Sequence, residues 1–339
     1  MDENGKFSTM ESDVDGLLNL YEAAHLGKCD EEFLNNAIIF TKDRLSTIVK
    51  DPQLPKPILV RIEHMLSSPT QRRMKRLEAR LYMSIYENDE DNDQDILELA
   101  KLDFDTLQQM HRHEVEKISL WDVEGARKVG KCYEYVMSHL SDTLDEFAAE
   151  TVASPVGIEC TKTTVASSGM LQEVAWREHG HVPSLHDYLK VSAKTTLYWT
   201  LACISFFGMD ASNDVFTWTS TFLKILESAA IICRLMDDIS GNECEKERSK
   251  CATALDCYVR EHGVTVQQAK QVLTNLVEEH WRIINQEFLS NDRVPAPLLM
   301  RVLNFVRMME TAYKHVDGYT HSEEIADYIQ KILIECVHQ

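Results

Sequence analysis

Glycine and proline are scarce in this sequence, with 12 and 8 residues respectively in a chain of 339. Both residues interrupt helices, and domains rich in β-strands need many of them for turns. Leucine, glutamate, lysine and alanine, which favour helices, are plentiful. The composition therefore predicts an all-α fold, and the length allows one large helical domain or two smaller ones.

Basic residues are also in short supply. The 35 lysines and arginines are outnumbered by 55 aspartates and glutamates, which gives a formal net charge of -20. Such a chain repels phosphate backbones and anionic lipids, so we expect neither nucleic acid nor a membrane surface as a partner. A polyanionic substrate would still bind if divalent cations stood between it and the carboxylates.

Paired cysteine motifs, targeting segments and long apolar runs are missing as well. The nine cysteines include no C-x-x-C pair, which favours reduced thiols inside a cell. The first residues lack the character of a signal or transit peptide. Charged residues interrupt the apolar segments before they are long enough to cross a membrane. We therefore expect a cytoplasmic protein with no membrane span, and the sequence does not indicate its oligomeric state.

Apolar residues recur with helical spacing along most of the chain. Leu34, Ile38, Leu45 and Ile48, for example, share one face and predict an amphipathic helix. A plausible domain boundary lies near Leu120 to Val123, between two helical blocks. We therefore predict one domain over residues 1–120 and a second over residues 121–339.

The residues that can carry chemistry are concentrated where an apolar helix runs into a group of carboxylates. Asp237, Gly241 and Glu245 are spaced four apart, so they remain on one face of a helix. Magnesium prefers oxygen ligands and retains several waters, so Asp237 and Glu245 together with substrate phosphates could complete its shell. Gly241 leaves room for a water between them. Asp238 adds a third carboxylate to this segment.

The same spacing permits a second interpretation, an acidic helix end that faces solvent. Arg234 and Asp238 would then form an ordinary ion pair four residues apart. The argument for a metal is that buried charges are normally paired or bound to an ion. Another acidic segment, Glu87 to Asp95, has no apolar residues to orient it, and we predict a solvated loop there.

Residues 234–248, which read RLMDDISGNECEKER, resemble the second metal motif of plant terpene synthases, (Asn/Asp)-Asp-x-x-(Ser/Thr/Gly)-x-x-x-Glu. Further segments resemble the family in the family's own order and extend the resemblance over most of the chain. They are DVDGLLNLYEAA from residue 13, LAKLDFD from residue 99, EVAW from residue 173, FGM from residue 207, LNF from residue 303 and DGYTH from residue 317.

The resemblance implies a class I terpenoid synthase fold, with a partial helical amino-terminal domain packed on a catalytic bundle. It implies ionisation of a prenyl diphosphate, most simply farnesyl diphosphate, to a carbocation that cyclises to a terpene. Mg²⁺ would be the cofactor, with Mn²⁺ as an alternative. The implied metal site consists of Asp237 and Glu245 with Asp238 in support, and Arg234 and Arg248 would hold the diphosphate.

Two further segments allow either a functional or a structural interpretation. Residues 195–209 resemble the kinked helix that lines the family's pocket, with Tyr198, Trp199 and Phe206 as pocket candidates, although aromatic stripes usually belong to a core. Asp317 and Tyr319 resemble a lid over the pocket mouth, and we predict that Tyr319 contacts substrate. An Asp-Gly turn is the alternative for this pair.

The sequence also departs from the family pattern. The first metal motif, Asp-Asp-x-x-Asp, and the upstream Arg-x-Arg segment are absent. Family members have a long stretch of catalytic helices between segments that resemble Glu114–Ser119 and Trp121–Val123, which are almost contiguous here. From the resemblance we also expect that the start of the amino-terminal domain is missing and that residues 154–164 are a shortened connection.

Three hypotheses follow from this comparison with the family pattern. The chain is an active terpene synthase, a remnant that binds metal or diphosphate weakly, or a helical interaction scaffold with an acidic face.

Overall fold

The structure, a computed structural model, describes residues 13–89, 91–119, 168–206, 209, 215, 224–248, 251–314 and 316–337, without the side chains of residues 117–119, 204 and 242–248. The described residues form helices and connections, with no strand among them, which confirms the predicted all-α class. The helices are α1 (Val14–Ala24), α2 (Glu32–Ile48), α3 (Lys56–Ser67), α4 (Lys75–Tyr86), α5 (Gln94–Ser119), α6 (168–178), α7 (Leu185–Thr195), α8 (Tyr198–Phe206), α9 (Lys224–Arg248), α10 (Ala254–His262), α11 (Val266–Ser290), α12 (Ala296–Ala312) and α13 (Ala326–Leu333).

The chain divides into two compact units. One spans Met1–Met74 and Glu159–Thr320, and the other spans Lys75–Ile158 and His321–Gln339. The first unit therefore contains α1 to α3 and α6 to α12, and the second contains α4, α5 and α13. The predicted boundary at residues 120–123 lies outside the described residues and stays a prediction.

Side-chain caps fix where several helices begin. Thr253 and Asp256 form a capping box at the start of α10, and Thr265 and Gln268 form another at the start of α11. Each box satisfies two backbone N–H groups at the start of its helix through side chains three residues apart. Gly263 ends α10 with a φ of 65°, a left-handed conformation that suits glycine. These local signals separate α10 from α11 within a few residues.

The core of the first unit is built around α9, which packs against α7, α11 and α12. Its apolar face is fully buried, and the residues concerned are Ile225, Leu226, Ala229, Ala230, Ile232 and Leu235. The side chains of the two alanines are small, so neighbouring helices can approach α9 closely. The carboxylates at positions 237 and 238 follow this apolar stretch directly, so the core determines where they are displayed.

Helices α1 to α3 form a smaller apolar cluster in the same unit. Its buried members are Leu17, Leu18, Tyr21, Leu45 and Ile62, and Ile48 packs against them. The helix predicted from apolar spacing at residues 34–48 is confirmed as part of α2.

A short 3-10 turn, Thr70–Arg72, joins this cluster to the bundle through a buried ion pair. The Arg72 guanidinium donates two hydrogen bonds of 2.7 Å to the Glu278 carboxylate on α11. It also lies 4.9 Å from the ring centre of Trp281, whose Nε1 donates to Glu310 at 2.8 Å. Because Arg72 is 5 % exposed, its charge depends on these partners.

The second unit has its own apolar contacts between α4 and α5. Met83, Leu97 and Phe104 are buried together. Arg76 covers the Phe104 ring, with its guanidinium carbon 3.8 Å from the ring centre. The Gln108 amide donates to two backbone carbonyls at the end of α13. One belongs to Ile332 in the last turn, and the other belongs to Glu335 just after the helix.

The acidic segment between α4 and α5 is a mostly exposed connection at its described positions, as predicted. The Asp93 carboxylate accepts hydrogen bonds from the backbone of Asp95 and Ile96, which caps the start of α5. Glu87 pairs with Lys101 at 2.7 Å. These carboxylates of the acidic segment therefore have a local structural role.

In the described part of the chain, no helix is long and apolar enough to cross a membrane.

Removing the Arg72 side chain is expected to destabilise the protein strongly, because Glu278 would lose its partner inside the structure. The expected loss for Arg72→Ala is about 3–5 kcal/mol in the free energy of unfolding, measured by urea denaturation. Arg61, which pairs with Asp15 at 2.8 Å on the surface, provides the matched control. Arg61→Ala should cost less than about 1 kcal/mol. Equal losses in the two variants would contradict the importance assigned to the Arg72 pair.

Buried histidine should make the protein sensitive to mild acid. His25 is 7 % exposed and donates from Nδ1 to the Tyr21 carbonyl at 2.8 Å. Burial lowers the pKa of His25 from 6.5 to about 4. The unfolded chain therefore takes up a proton in this window and the folded chain does not, so stability falls as pH drops from 6.5 towards 4.

In His25→Gln this contribution is removed, and the loss of unfolding free energy across the window should shrink by up to about 3 kcal/mol. Urea denaturation at a series of pH values measures it. The exposed His186→Gln substitution is the control and should follow the wild type. An unchanged pH slope in His25→Gln would refute the assignment.

Candidate functional site

The predicted metal motif lies in the last turns of α9, after its apolar stretch. Asp237 and Glu245 are both on this helix, as the spacing predicted. The side chains of Glu245 and Arg248 lie outside the described residues, so their meeting with Asp237 at one ion stays a prediction. Gly241, between the two carboxylates, is buried.

Asp237 is the partly exposed carboxylate of the pair at positions 237 and 238, with 22 % of its side chain accessible. Its Oδ2 atom lies 3.1 Å from Nη1 of Arg234, and the Tyr313 side chain is near enough to oppose the rise in its pKa. Burial raises the pKa of Asp237, while Arg234 opposes this shift. Asp237 therefore presents a carboxylate beside a fixed positive charge.

Asp238, the next residue, points into the core and is 1 % exposed. Its Oδ2 atom accepts hydrogen bonds from the Tyr188 hydroxyl at 2.9 Å and from the Ala254 backbone N–H at 2.7 Å. Burial raises the pKa of Asp238 to about 7, although Arg234 and both hydrogen bonds oppose the shift. Asp238 therefore holds the start of α10 and the side of α7 against α9.

The interpretation as an acidic helix end facing solvent is wrong for Asp238, because this carboxylate is buried. The expected ion pair between Arg234 and Asp238 is also replaced, since the Arg234 guanidinium contacts Asp237 directly. The partners of these two residues are therefore determined by the neighbouring helices more than by the spacing of four. The sequence pattern does not predict which helices are neighbours. Whether Asp238 takes part in metal binding stays a prediction.

Arg234 is held from several sides. Its Nη1 atom faces Asp237, and its Nη2 atom donates to the Thr195 hydroxyl at 3.3 Å. Burial disfavours the charged guanidinium, but the surrounding Tyr188, Asp238, Asp237 and Glu173 side chains outweigh it and raise the pKa of Arg234. The guanidinium is thus a permanent positive charge of fixed orientation, suited to an anion.

Tyr313, at the end of α12, is a residue that the sequence interpretation missed. It interacts electrostatically with Asp237, and its ring lies 5.8 Å from that of Tyr319. Burial raises the pKa of Tyr313, with Asp237 as the next contribution. The tyrosine follows an apolar helix in the sequence, but no spacing rule connects it to α9.

Residues 317–320 form the Asp-Gly turn that was the alternative to a lid. The Asp317 carboxylate accepts hydrogen bonds from the Tyr319 backbone N–H at 2.9 Å and from the Thr320 hydroxyl. Tyr319 is 62 % exposed. The turn thus places a tyrosine next to Tyr313, and its contact with substrate stays a prediction.

The kinked helix expected over residues 195–209 is interrupted near its start, since α7 ends at Thr195 and α8 begins at Tyr198. Leu197 has a φ of 60°, which is unusual for a residue other than glycine. Tyr198, Trp199 and Phe206 are 5 % exposed or less, so they lie in the core as the structural interpretation expected. The Tyr198 hydroxyl is also hydrogen-bonded to the Cys233 thiol, one helical turn before Asp237.

Comparison with known proteins agrees with this architecture. Residues 106–283 match the sequence profile "Terpene synthase family, metal binding domain", and residues 1–66 match "Terpene synthase, N-terminal domain". Alpha-humulene synthase from Zingiber zerumbet is 32 % identical over 98 % of this chain and 75 % of its own length. (-)-Germacrene D synthase from Vitis vinifera is 31 % identical over 99 % of this chain and 74 % of its length.

Solved structures show the same fold. Isoprene synthase from grey poplar superposes with a TM-score of 0.84 at 20 % identity, over 99 % of this chain and 78 % of that one. A limonene synthase structure with 2-fluorolinalyl diphosphate gives a TM-score of 0.78 at 21 % identity, over 98 % of this chain and 76 % of that one. These likenesses define a class I terpenoid synthase fold. Together with the profile matches, they show that the chain belongs to the terpene synthase family.

The Tyr188 hydroxyl is expected to matter for stability, because it satisfies a buried carboxylate. Tyr188→Phe keeps the ring but removes one of the two hydrogen bonds to Asp238, so the free energy of unfolding should fall by about 1–3 kcal/mol. Tyr82→Phe, at a 60 % exposed tyrosine, is the control and should change it by less than about 0.5 kcal/mol. A wild-type urea midpoint for Tyr188→Phe would argue against this support of Asp238.

Proposed function

We propose that this chain is a terpene synthase that ionises a prenyl diphosphate in a magnesium-dependent reaction and cyclises the resulting carbocation. The observation that carries the proposal is the pairing of Asp237 with Arg234 at the end of a buried apolar helix, 3.1 Å apart. A carboxylate suits a divalent cation and the guanidinium suits a diphosphate. The site thus offers a negative charge for the magnesium ion and a positive charge for the diphosphate of the substrate.

The residues fit a magnesium ion in the chemistry of their donors. Asp237 is partly exposed and supplies carboxylate oxygen, and Glu245 is on the same helix two turns later. Bound magnesium would neutralise the charge that develops on the leaving diphosphate. No group of three or more metal-binding side chains occurs among the residues that the structure describes, so further ligands would come from Glu245, water and substrate.

The other site residues would act around this centre. Arg234 and Arg248 would hold the diphosphate by charge-assisted hydrogen bonds. Tyr319, beside Tyr313, would contact the bound substrate. Asp238 would support the site without contacting the metal, because both of its described hydrogen bonds hold other helices. The apolar residues of α8 and α9 would keep water from the carbocation.

Farnesyl diphosphate is the substrate that we propose. Several relatives are named as sesquiterpene synthases, among them proteins from Cananga odorata and Santalum austrocaledonicum. Sesquiterpenes have fifteen carbons, as farnesyl diphosphate does. An isoprene synthase structure contains three Mg²⁺ ions, which supports a divalent cofactor here, with Mg²⁺ favoured over Mn²⁺ because diphosphate oxygens are hard ligands.

We also propose that residues 1–120 form a partial amino-terminal domain and residues 121–339 an incomplete metal-binding domain. The profile matches at residues 1–66 and 106–283 support two family domains in this order. The cytoplasmic location inferred from the sequence remains a proposal.

A second candidate is a remnant that binds metal or diphosphate weakly. The first metal motif is absent from the sequence. The alignment to alpha-humulene synthase also extends over 414 positions, which exceeds the 339 residues of this chain by 75. At least that many residues of the relative therefore have no counterpart here. With one acidic motif in place of two, the chain would bind fewer magnesium ions. Ionisation of the prenyl diphosphate would then be slower.

The Asp237→Asn variant tests the first candidate. It removes the ligand charge while keeping the size of the side chain, so magnesium-dependent product should fall at least about a hundredfold. Purified protein would be incubated with farnesyl or geranyl diphosphate, with and without magnesium. Hydrocarbon products and released diphosphate are the measurements.

Asp292→Asn, at an exposed aspartate of the same protein, is the matched control and should keep wild-type activity. A folded wild-type protein that binds magnesium pyrophosphate but forms no product would favour the remnant. If the protein forms no product and also does not bind magnesium pyrophosphate, the helical scaffold becomes the better description.

A further inference from the structure

Helix α6 approaches α7 unusually closely, and a glycine makes this possible. A Cβ atom added to Gly169 would lie 2.9 Å from Cγ2 of Thr195 and 3.5 Å from the Val191 carbonyl oxygen. Any larger residue would therefore push the helices apart. Four residues later, on the same face of α6, Glu173 comes within hydrogen-bonding reach of α7.

Glu173 uses this closeness to reach Thr195. The Thr195 hydroxyl donates to Oε1 of Glu173 at 2.9 Å, and the Thr195 hydroxyl oxygen accepts from Nη2 of Arg234 at 3.3 Å. Thr195 is 8 % exposed and Glu173 is half-buried. The three side chains, from α6, α7 and α9, therefore form a chain that ends at the guanidinium beside Asp237.

The Arg234 guanidinium is planar, so two fixed contacts on different nitrogen atoms determine its plane. Asp237 supplies one contact and Thr195 supplies the other. The Thr195 contact is the one that lies away from the predicted metal ligand. It would therefore remain in place when Asp237 turns to a cation, and it would keep the guanidinium from swinging with the carboxylate.

We propose that Glu173 is a positioning residue, which acts through the Thr195 hydroxyl to hold Arg234 in the orientation that binds diphosphate. This inference rests on the proposed function, since it assigns Arg234 to the diphosphate. Glu173 itself touches neither substrate nor metal in this scheme. Its carboxylate orients the hydroxyl hydrogen away from Arg234, which leaves the oxygen lone pairs to accept from the guanidinium.

One competing contact determines the choice of variants. The Thr195 hydroxyl also lies 2.9 Å from the Ser192 carbonyl, and its single hydrogen can be donated there when Glu173 is absent. Glu173→Ala should therefore loosen Arg234 less than Thr195→Val, which removes the acceptor itself. Thr195→Ser restores the hydroxyl and should restore the wild-type behaviour.

Reaction with the arginine-selective reagent phenylglyoxal measures this directly, without any need for activity. The rate at Arg234 would be followed by peptide mass spectrometry, with the exposed Arg177 on α6 as an internal reference. We expect Arg234 to react about three- to tenfold faster in Thr195→Val, the equivalent of one net hydrogen bond, and faster to a smaller extent in Glu173→Ala and Glu173→Gln. Thr195→Ser should match the wild type.

Two matched controls separate this effect from general loosening. Glu178→Gln changes an exposed glutamate of the same helix, and Thr196→Val removes a neighbouring hydroxyl that donates to the Ala193 carbonyl at 2.7 Å. Neither should change the rate at Arg234. A wild-type rate in Glu173→Ala would overturn the proposal even if Thr195→Val reacted faster, as would equal acceleration in the controls.

Inorganic pyrophosphate with magnesium then tests the link to function. It should protect Arg234 in the wild type, and Thr195→Val should need about tenfold more pyrophosphate for the same protection. Protection of equal strength in the variant would overturn the positioning role. Faster labelling in the variants without any protection in the wild type would show that the contact chain is real and that the proposed diphosphate role of Arg234 is wrong.

Discussion

The Asp238 carboxylate is buried at the end of an apolar helix, and its need for partners organises the surrounding helices. A buried charge that lacks hydrogen bonds costs several kcal/mol, so folding requires donors at this point. Tyr188 on α7 and the backbone N–H of Ala254 at the start of α10 provide them. The capping box of Thr253 and Asp256 exposes that N–H to the carboxylate. Three helices are therefore fixed around one oxygen atom.

Fixing Asp238 determines what Asp237 can do. Adjacent residues of a helix point about 100° apart, so a buried Asp238 turns Asp237 towards the open side. There it meets Arg234, which is itself held by Thr195. The structural carboxylate and the candidate ligand thus have separate roles, although they are adjacent in the sequence.

Sequence reasoning predicted the helical class, α9 and its line of carboxylates, because composition and spacing along one helix depend only on neighbouring residues. It distinguished Asp237 as a ligand from Asp238 as support, but it could not predict that Asp238 is buried, since its partners Tyr188 and Ala254 are 50 and 16 residues away. It also missed Tyr313 and Glu173, whose partners belong to other helices. The break at Leu197 was expected only from the family resemblance, because no proline or glycine marks it.

The described contacts of Arg234 and Asp238, in the acidic part of α9 that we call the acidic wall (residues 234–248), come from helices present in the chain. Asp238 is satisfied by α7 and α10, and Arg234 by α7, with Glu173 of α6 behind it. The wall therefore does not rely on the absent Asp-Asp-x-x-Asp segment for its own geometry. Loss of that segment would reduce the number of cations held opposite the wall, and would leave the orientation of Asp237 and Arg234 unchanged. Pyrophosphate binding and catalytic turnover should consequently respond differently to the missing helices. Binding needs one charged wall. Ionisation also needs the charge of the leaving group to be neutralised from both sides.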